Sequence, residues 1–184
     1  GSFGAGYIDN KLGIGTTSPA QPLHIAHATG DAQIQLERVD TSVADNDAIG
    51  AIIWRGGESS ATDVGRIRVH ADDSDWNAGS SPTKMIFETT PSGSTADTPK
   101  MTILASGKVG IGTSSPTHML DIYGGSDNAT GGIKMTNDDT GTGTTDGTTL
   151  MVEQNSGRFI IRQYEDANVL IRTNDTDAIE IDNS

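Results

Sequence analysis

The chain reads as all-β, built from tandem modules with no substantial helix, and three features of its 184 residues carry that reading. Residues 11–25 (KLGIGTTSPAQPLHI) return at 108–122 as KVGIGTSSPTHMLDI, a constant offset of 97 with nine of fifteen positions identical, and self-similarity at a fixed period marks repeat architectures. Ile outnumbers Leu 18 to 7, and Thr and Ser number 23 and 16, a bias toward β-branched residues and away from helix formers. Gly and Pro punctuate the sequence at strand-length intervals, and no stretch of ten residues holds a helical period.

The elements follow in order. Gly1-Ser2 reads as a scar of tag removal and residues 1–10 as a lead-in. In Gly13-Ile14-Gly15 and Gly110-Ile111-Gly112 an extended backbone would present one isoleucine on one face and no side chain on the other, so that another backbone can come close. Ser18-Pro19 and Ser115-Pro116 then impose a turn, because proline fixes its own φ and restricts the residue before it. Leu23 and Ile25, like Leu120 and Ile122, alternate with other residues as in a half-buried strand. Gln33–Arg38 (QIQLER) alternates in the same way. Further strands are expected at Ala48–Arg55, Val64–His70, Lys84–Glu88 and Met101–Leu104, the first two joined as a hairpin across GGESSATD. Long polar loops fill 72–83 and 89–99, and long loops carry function more often than short ones.

The second module repeats the plan. Gly131–Met135 (GGIKM) corresponds to QIQL after a two-residue insertion, residues 136–149 form a low-complexity connection, and strands follow at Leu150–Glu153, Arg158–Gln163, Asn168–Arg172 and Ala178–Asp182. The first two are joined by a hairpin turn at Gln154-Asn155-Ser156-Gly157. The last run, AIEIDNS, stands where MTILASG stands ahead of the second motif, so a third motif is expected after it. The modules divide as 11–107 and 108–184.

Composition bounds the function. Leu, Ile, Val and Phe make up only 19% of the chain, with net charge −13, a composition that buries too little apolar surface in one chain. Association is the usual remedy for a thin core. The acidity disfavours nucleic acid and anionic membranes as partners, and no apolar run is long enough for a membrane helix. Cysteine is absent, so no disulfide or thiol chemistry operates.

No catalytic or cofactor constellation emerges. His24 and His27 are three apart, which in a strand points them to opposite faces and places them poorly to share an ion, and His70 and His118 stand alone. Asp73, Asp75 and Asn77 open like a calcium loop, but Ala78 replaces the glycine and Lys84 the closing glutamate, so solvated turn residues are expected there. Ser106-Gly107-Lys108 lacks the remainder of a phosphate loop. Trp54 ends the run AIIW and is expected in a core. Trp76 sits among Asp, Ser, Asn and Gly, open to two readings: a sugar-stacking indole, with Asp73, Asp75 and Asn77 as neighbouring receptor contacts, or an anchor that pins its loop.

The string GIGTxSPxxxLxI, present in both copies, resembles the recurrent shaft motif of bacteriophage tail fibres, in which a short strand also precedes the motif, here Met101–Leu104. The resemblance covers about thirty residues. It implies an elongated, intertwined parallel homotrimer on the virion, outside the cell, with a structural or host-attachment role and no catalysis. A host-surface glycan or protein would be the partner. Three chains meeting at the motif would place Gly13, Ile14, Gly15 and Pro19, and Gly110, Ile111, Gly112 and Pro116, at the trimer axis. The rival readings are a bacterial surface adhesin and a glycan-degrading tailspike segment, the latter needing a pair of carboxylates in a groove.

Overall fold

The computed structural model describes residues 11–57, 61–74, 76–77, 79–125, 131–153, 156–165, 169–173 and 176–181. These residues form thirteen strands and no helix. Within the compact unit that ends at Val39, β1 (Leu12–Ile14) pairs in parallel with β2 (Leu23–Ile25). The remainder of the chain forms a second compact unit.

The largest sheet of the second unit has six strands in chain order: β3 (Ala48–Gly56), β4 (Thr62–Ala71), β5 (Thr83–Thr89), β6 (Thr98–Ile103), β7 (Val109–Ile111) and β8 (Leu120–Ile122). Neighbours are antiparallel except the last pair, β7 and β8, which are parallel. The strands come from residues that alternate with period two, and Asp72 ties two corners of the sheet together. Its carboxylate accepts the Ala105 N–H at 2.8 Å, in the turn between β6 and β7, and lies 3.4 Å from Lys84 Nζ at the start of β5.

A three-stranded antiparallel sheet follows, with β10 (Thr148–Val152) between β9 (Gly131–Met135) and β11 (Phe159–Gln163). Then β12 (Val169–Thr173) and β13 (Thr176–Ile181) pair antiparallel. Asn168, Asp182, Gln154 and Asn155, expected in strands and a turn, lie outside the described residues, as does the 1–10 lead-in.

The structure corrects the expectations for Gln33–Arg38 and for Trp54. Gln33–Arg38 forms no strand, and Ile34 and Leu36 stand 67% and 51% exposed. Alternation qualifies a segment for a sheet but supplies no neighbour to bond its backbone. The 107/108 module boundary falls in the turn joining β6 to β7, two strands of one sheet, while the compact units divide between Val39 and Asp40. Trp54 is 51% exposed rather than in a core. The 136–149 connection is structured by its own side chains: Asn137 and Thr140 exchange bonds at 2.9 Å, and Gly143 N–H donates to Asp146 Oδ2 at 2.6 Å.

Candidate functional site: the repeated motif and the apolar sheet face

Both copies of the motif fold alike. Leu12 N–H donates to Pro22 O at 2.7 Å and Ala26 N–H to Ile14 O at 2.8 Å; 97 residues on, Val109 N–H donates to Met119 O and Tyr123 N–H to Ile111 O, each at 2.8 Å. Parallel neighbours usually need a long crossover. Here eight residues, 15–22 and 112–119, make the return.

Two glycines make the short return workable, each for a different reason. A Cβ on Gly13 or Gly110 would overlap the carbonyl oxygen of Thr16 or Thr113, because the connection folds back over the bare face of its own strand. Gly15 and Gly112 take φ of +75° and +76°, and a Cβ there would overlap the carbonyl oxygen of Ala26 or Tyr123. The close backbone expected from the sequence is thus the motif's own. Thr16 Oγ1 and Thr113 Oγ1 accept the N–H of Ser18 and Ser115 at 3.2 Å, setting the turn ahead of Pro19 and Pro116. Pro116 is buried and Pro19 half-buried.

The sequence reading missed a structural position inside the motif. His24 Nδ1 accepts the Ala20 N–H at 3.2 Å, and at the equivalent place Asp121 Oδ2 accepts the Thr117 N–H at 3.0 Å. Two unlike side chains thus play one role, holding the end of the proline turn against the second strand. Bonds from the backbone and hydroxyl of Thr117 hold the Asp121 carboxyl below the usual carboxylate range. The signal available in sequence was that the central residue of LxI is an acceptor in both copies.

The six-stranded sheet then places Ile111 in a larger array. Opposed residues run Ile52–Ile67–Phe87–Met101–Ile111–Ile122 across all six strands, one apolar residue from each. The adjacent row on the same face runs Val69–Met85–Ile103–Val109–Leu120. None of these eleven is buried, and Ile52, Met85, Ile111 and Leu120 are 52%, 39%, 42% and 53% exposed. In the first motif Leu12, Ile14, Leu23 and Ile25 likewise share one face, with Ile14 49% exposed.

The opposite face of the large sheet has the reverse character. Ile86, Glu88, Thr102 and Gly110 are buried there, beneath charged side chains. Arg68 bonds Glu88, which is 4% exposed, and Arg66 Nε lies 2.7 Å from Asp97 Oδ2 without the alignment of a hydrogen bond. Arg66 also bonds Asp63 at 3.1 Å. His70, on the same face, has its imidazole held below the ordinary value by burial and by Arg68 and Lys84, against the opposing pull of the Asn46 backbone bond and Glu88. Among the described residues, the only buried hydrophobic side chains are Ala71 and Ile86.

The 72–83 loop is built around Trp76. Its Nε1 donates to Pro82 O at 3.0 Å and the ring is half-buried, which is the contact an anchor requires. Asn77 and Ser80 exchange backbone bonds at 2.9 and 3.1 Å, and Asn77 Oδ1 accepts the Gly79 N–H at 2.9 Å. Asp73 Oδ1 accepts from Ser74 Oγ at 3.4 Å, and Asp75 lies outside the described residues. Among the described residues no three His, Asp or Glu side chains form a group that could hold a metal ion. No helix among them is long and apolar enough to cross a membrane.

No family model matches the chain, and no curated protein matches it.

Proposed function

We propose that this chain is a structural, host-attachment segment of a phage tail fibre, assembled as a homotrimer through the apolar faces of its sheets. The observation that carries the proposal is the eleven-residue apolar face, none of it buried, in a chain whose described residues bury only Ala71 and Ile86 among hydrophobic side chains. Contiguous apolar patches of this kind mark interaction surfaces. The face includes Val109 and Ile111 of the second motif with Leu120 and Ile122, and the first motif presents the matching quartet Leu12, Ile14, Leu23 and Ile25. Both motifs therefore offer the same surface for self-association, and the repeat gives each copy of the chain two such places. The resemblance to fibre shafts supplies the number three and the location on the virion. Host attachment is assigned to the polar loops at 72–83 and 89–99, presented three times on one assembly, where multivalency strengthens weak individual contacts.

Light scattering tests the assembly: the expected native mass is three times the 19.2 kDa of the chain. Ile111→Asp is expected to abolish the trimer, since three carboxylates would lose hydration in one apolar contact at a cost on the order of several kcal/mol. A parent protein that is monomeric and melts cooperatively at micromolar concentration overturns the proposal, and so does an Ile111→Asp variant that keeps the parent's mass and melting temperature.

A further inference from the structure

The two halves of the chain differ by one strand, and the difference identifies an interaction surface. The β10–β11 pair repeats the β3–β4 pair at an offset of 100 for the leading strand: Thr148 opposes Gln163 as Ala48 opposes His70. The closing bond is also the same, with Tyr164 N–H donating to Gly147 O at 3.0 Å and Ala71 N–H to Asp47 O at 2.9 Å. Outside β10 lies β9, paired along its full length. Among the described residues no strand pairs with the outer edge of β3.

The segment that stands in sequence where β9 stands is Gln33–Leu36. Ile34 takes the place of Ile133 and Leu36 that of Met135. Eleven residues, 37–47, separate Leu36 from β3, against twelve, 136–147, between Met135 and β10. Strand pattern, spacing and the following hairpin all repeat, yet Gln33–Leu36 forms no strand and its two apolar side chains are exposed. The intervening residues differ in composition. The β9–β10 connection turns through Gly141 and Gly147 at φ of +81° and +76° and is locked by Lys134 Nζ bonding Gly143 O. Residues 37–47 contain no glycine, and Asn46 takes the left-handed conformation there at φ of +66°. They bend locally instead, with Asp40 accepting the Ser42 N–H at 3.0 Å and Asp47 the Ala44 N–H at 2.9 Å.

We infer that Gln33–Leu36 of one copy adds antiparallel to the outer edge of β3 in a second copy, as the seventh strand of its sheet. This rests on the oligomeric reading above and names the segment that crosses between copies. An exposed edge strand is a template for such addition from another chain. Ile34 and Leu36 share one face of the added strand, and placed beside Ile52 they would extend the apolar face outward by one strand. The bulge in β3 between Ala48 and Gly50 makes the register tolerant, so the test should tolerate it too.

The experiment uses the full chain with a photo-crosslinking amino acid in place of Ile34, co-refolded with an equal amount of parent chain uniformly labelled with heavy nitrogen. The expected product after irradiation and tryptic digestion joins the unlabelled peptide ending at Arg38 to the labelled peptide Val39–Arg55, which contains β3 up to Arg55. Amide exchange on the unsubstituted parent is the second measurement, with Gln33–Leu36 protected in the assembly and losing at least tenfold protection on dilution to monomer. A trimer in which position 34 captures only its own chain, or a surface other than Val39–Arg55, overturns this inference and leaves the trimer standing. Fast exchange over 33–36 in a confirmed trimer overturns it equally. A parent that never exceeds monomer mass overturns the oligomeric reading itself, and this inference with it.

Discussion

Replacing the motif's glycines with alanine separates two costs that the structure assigns to different residues. Gly107, Gly112 and Gly110 lie within six residues of one another around one turn and strand. Gly107 has φ of +81° and a Cβ added there would meet only Met119 Cε at 3.8 Å. Gly107→Ala should therefore cost the left-handed conformation alone, about 1–2 kcal/mol. Gly112 has nearly the same φ, +76°, but its Cβ would overlap the Tyr123 carbonyl oxygen. Gly112→Ala should cost that same conformational amount plus roughly 1–3 kcal/mol for displacing backbone that is itself bonded to Ile111. Gly110 carries only the second cost, against the Thr113 oxygen. The stiffening of the unfolded chain by alanine, about 0.4–1 kcal/mol, is common to all three and cancels in the comparison. Thermal melts at one fixed protein concentration read the differences, at about 2–4 °C per kcal/mol for a chain of this length. The expected order of melting temperature is parent, Gly107→Ala, then Gly112→Ala lowest. A Gly112→Ala variant that melts with Gly107→Ala would show that no carbonyl closes over the motif, and the parallel return would have to be redrawn.

Two further outcomes follow from the charged face. Because the folded protein holds His70 below its ordinary value of 6.5, the unfolded chain takes the proton first as pH falls. The stability in question is complete above that value and declines as pH drops below it, with a slope no steeper than about 1.4 kcal/mol per pH unit per chain. Urea midpoints between pH 7.5 and 5 should show the decline in the parent and a flatter profile in His70→Gln; parallel profiles refute the assignment. Glu88→Ala leaves Arg68 without its carboxylate, and since Arg68 keeps 26% of its side chain in solvent the loss should be about 2–3 kcal/mol rather than the full penalty of a buried lone charge. Combining it with Arg68→Met should restore much of the loss, and a double variant no more stable than Glu88→Ala shows that the pair is not coupled.

The sequence by itself determined the β class and the strand-turn-strand unit, because alternation with period two and the conformational limits of Pro and Gly are properties of a few consecutive residues. Most strands from Ala48 to Gln163 lie where that pattern puts them, and the isoleucine between the motif glycines was recognisable as a lone apolar group on a bare strand. Pairing was not legible. QIQLER and GGIKM carry the same signal, yet of the two only GGIKM forms a strand, since a strand's partner lies many residues away and local periodicity does not encode it. For the same reason Trp54 read as core from its run AIIW, while the sheet's outer strand leaves it half exposed. The cross-strand rows through Ile52, Phe87 and Ile111 exist only once five separate registers have been set, and no window of sequence contains them. The shared role of His24 and Asp121 was hidden because an imidazole and a carboxylate look unrelated until the proline turn brings one backbone N–H to each. Tertiary structure decided which face is apolar and open and which is charged and closed, because the facing of a strand depends on register, and register is settled by the whole sheet at once.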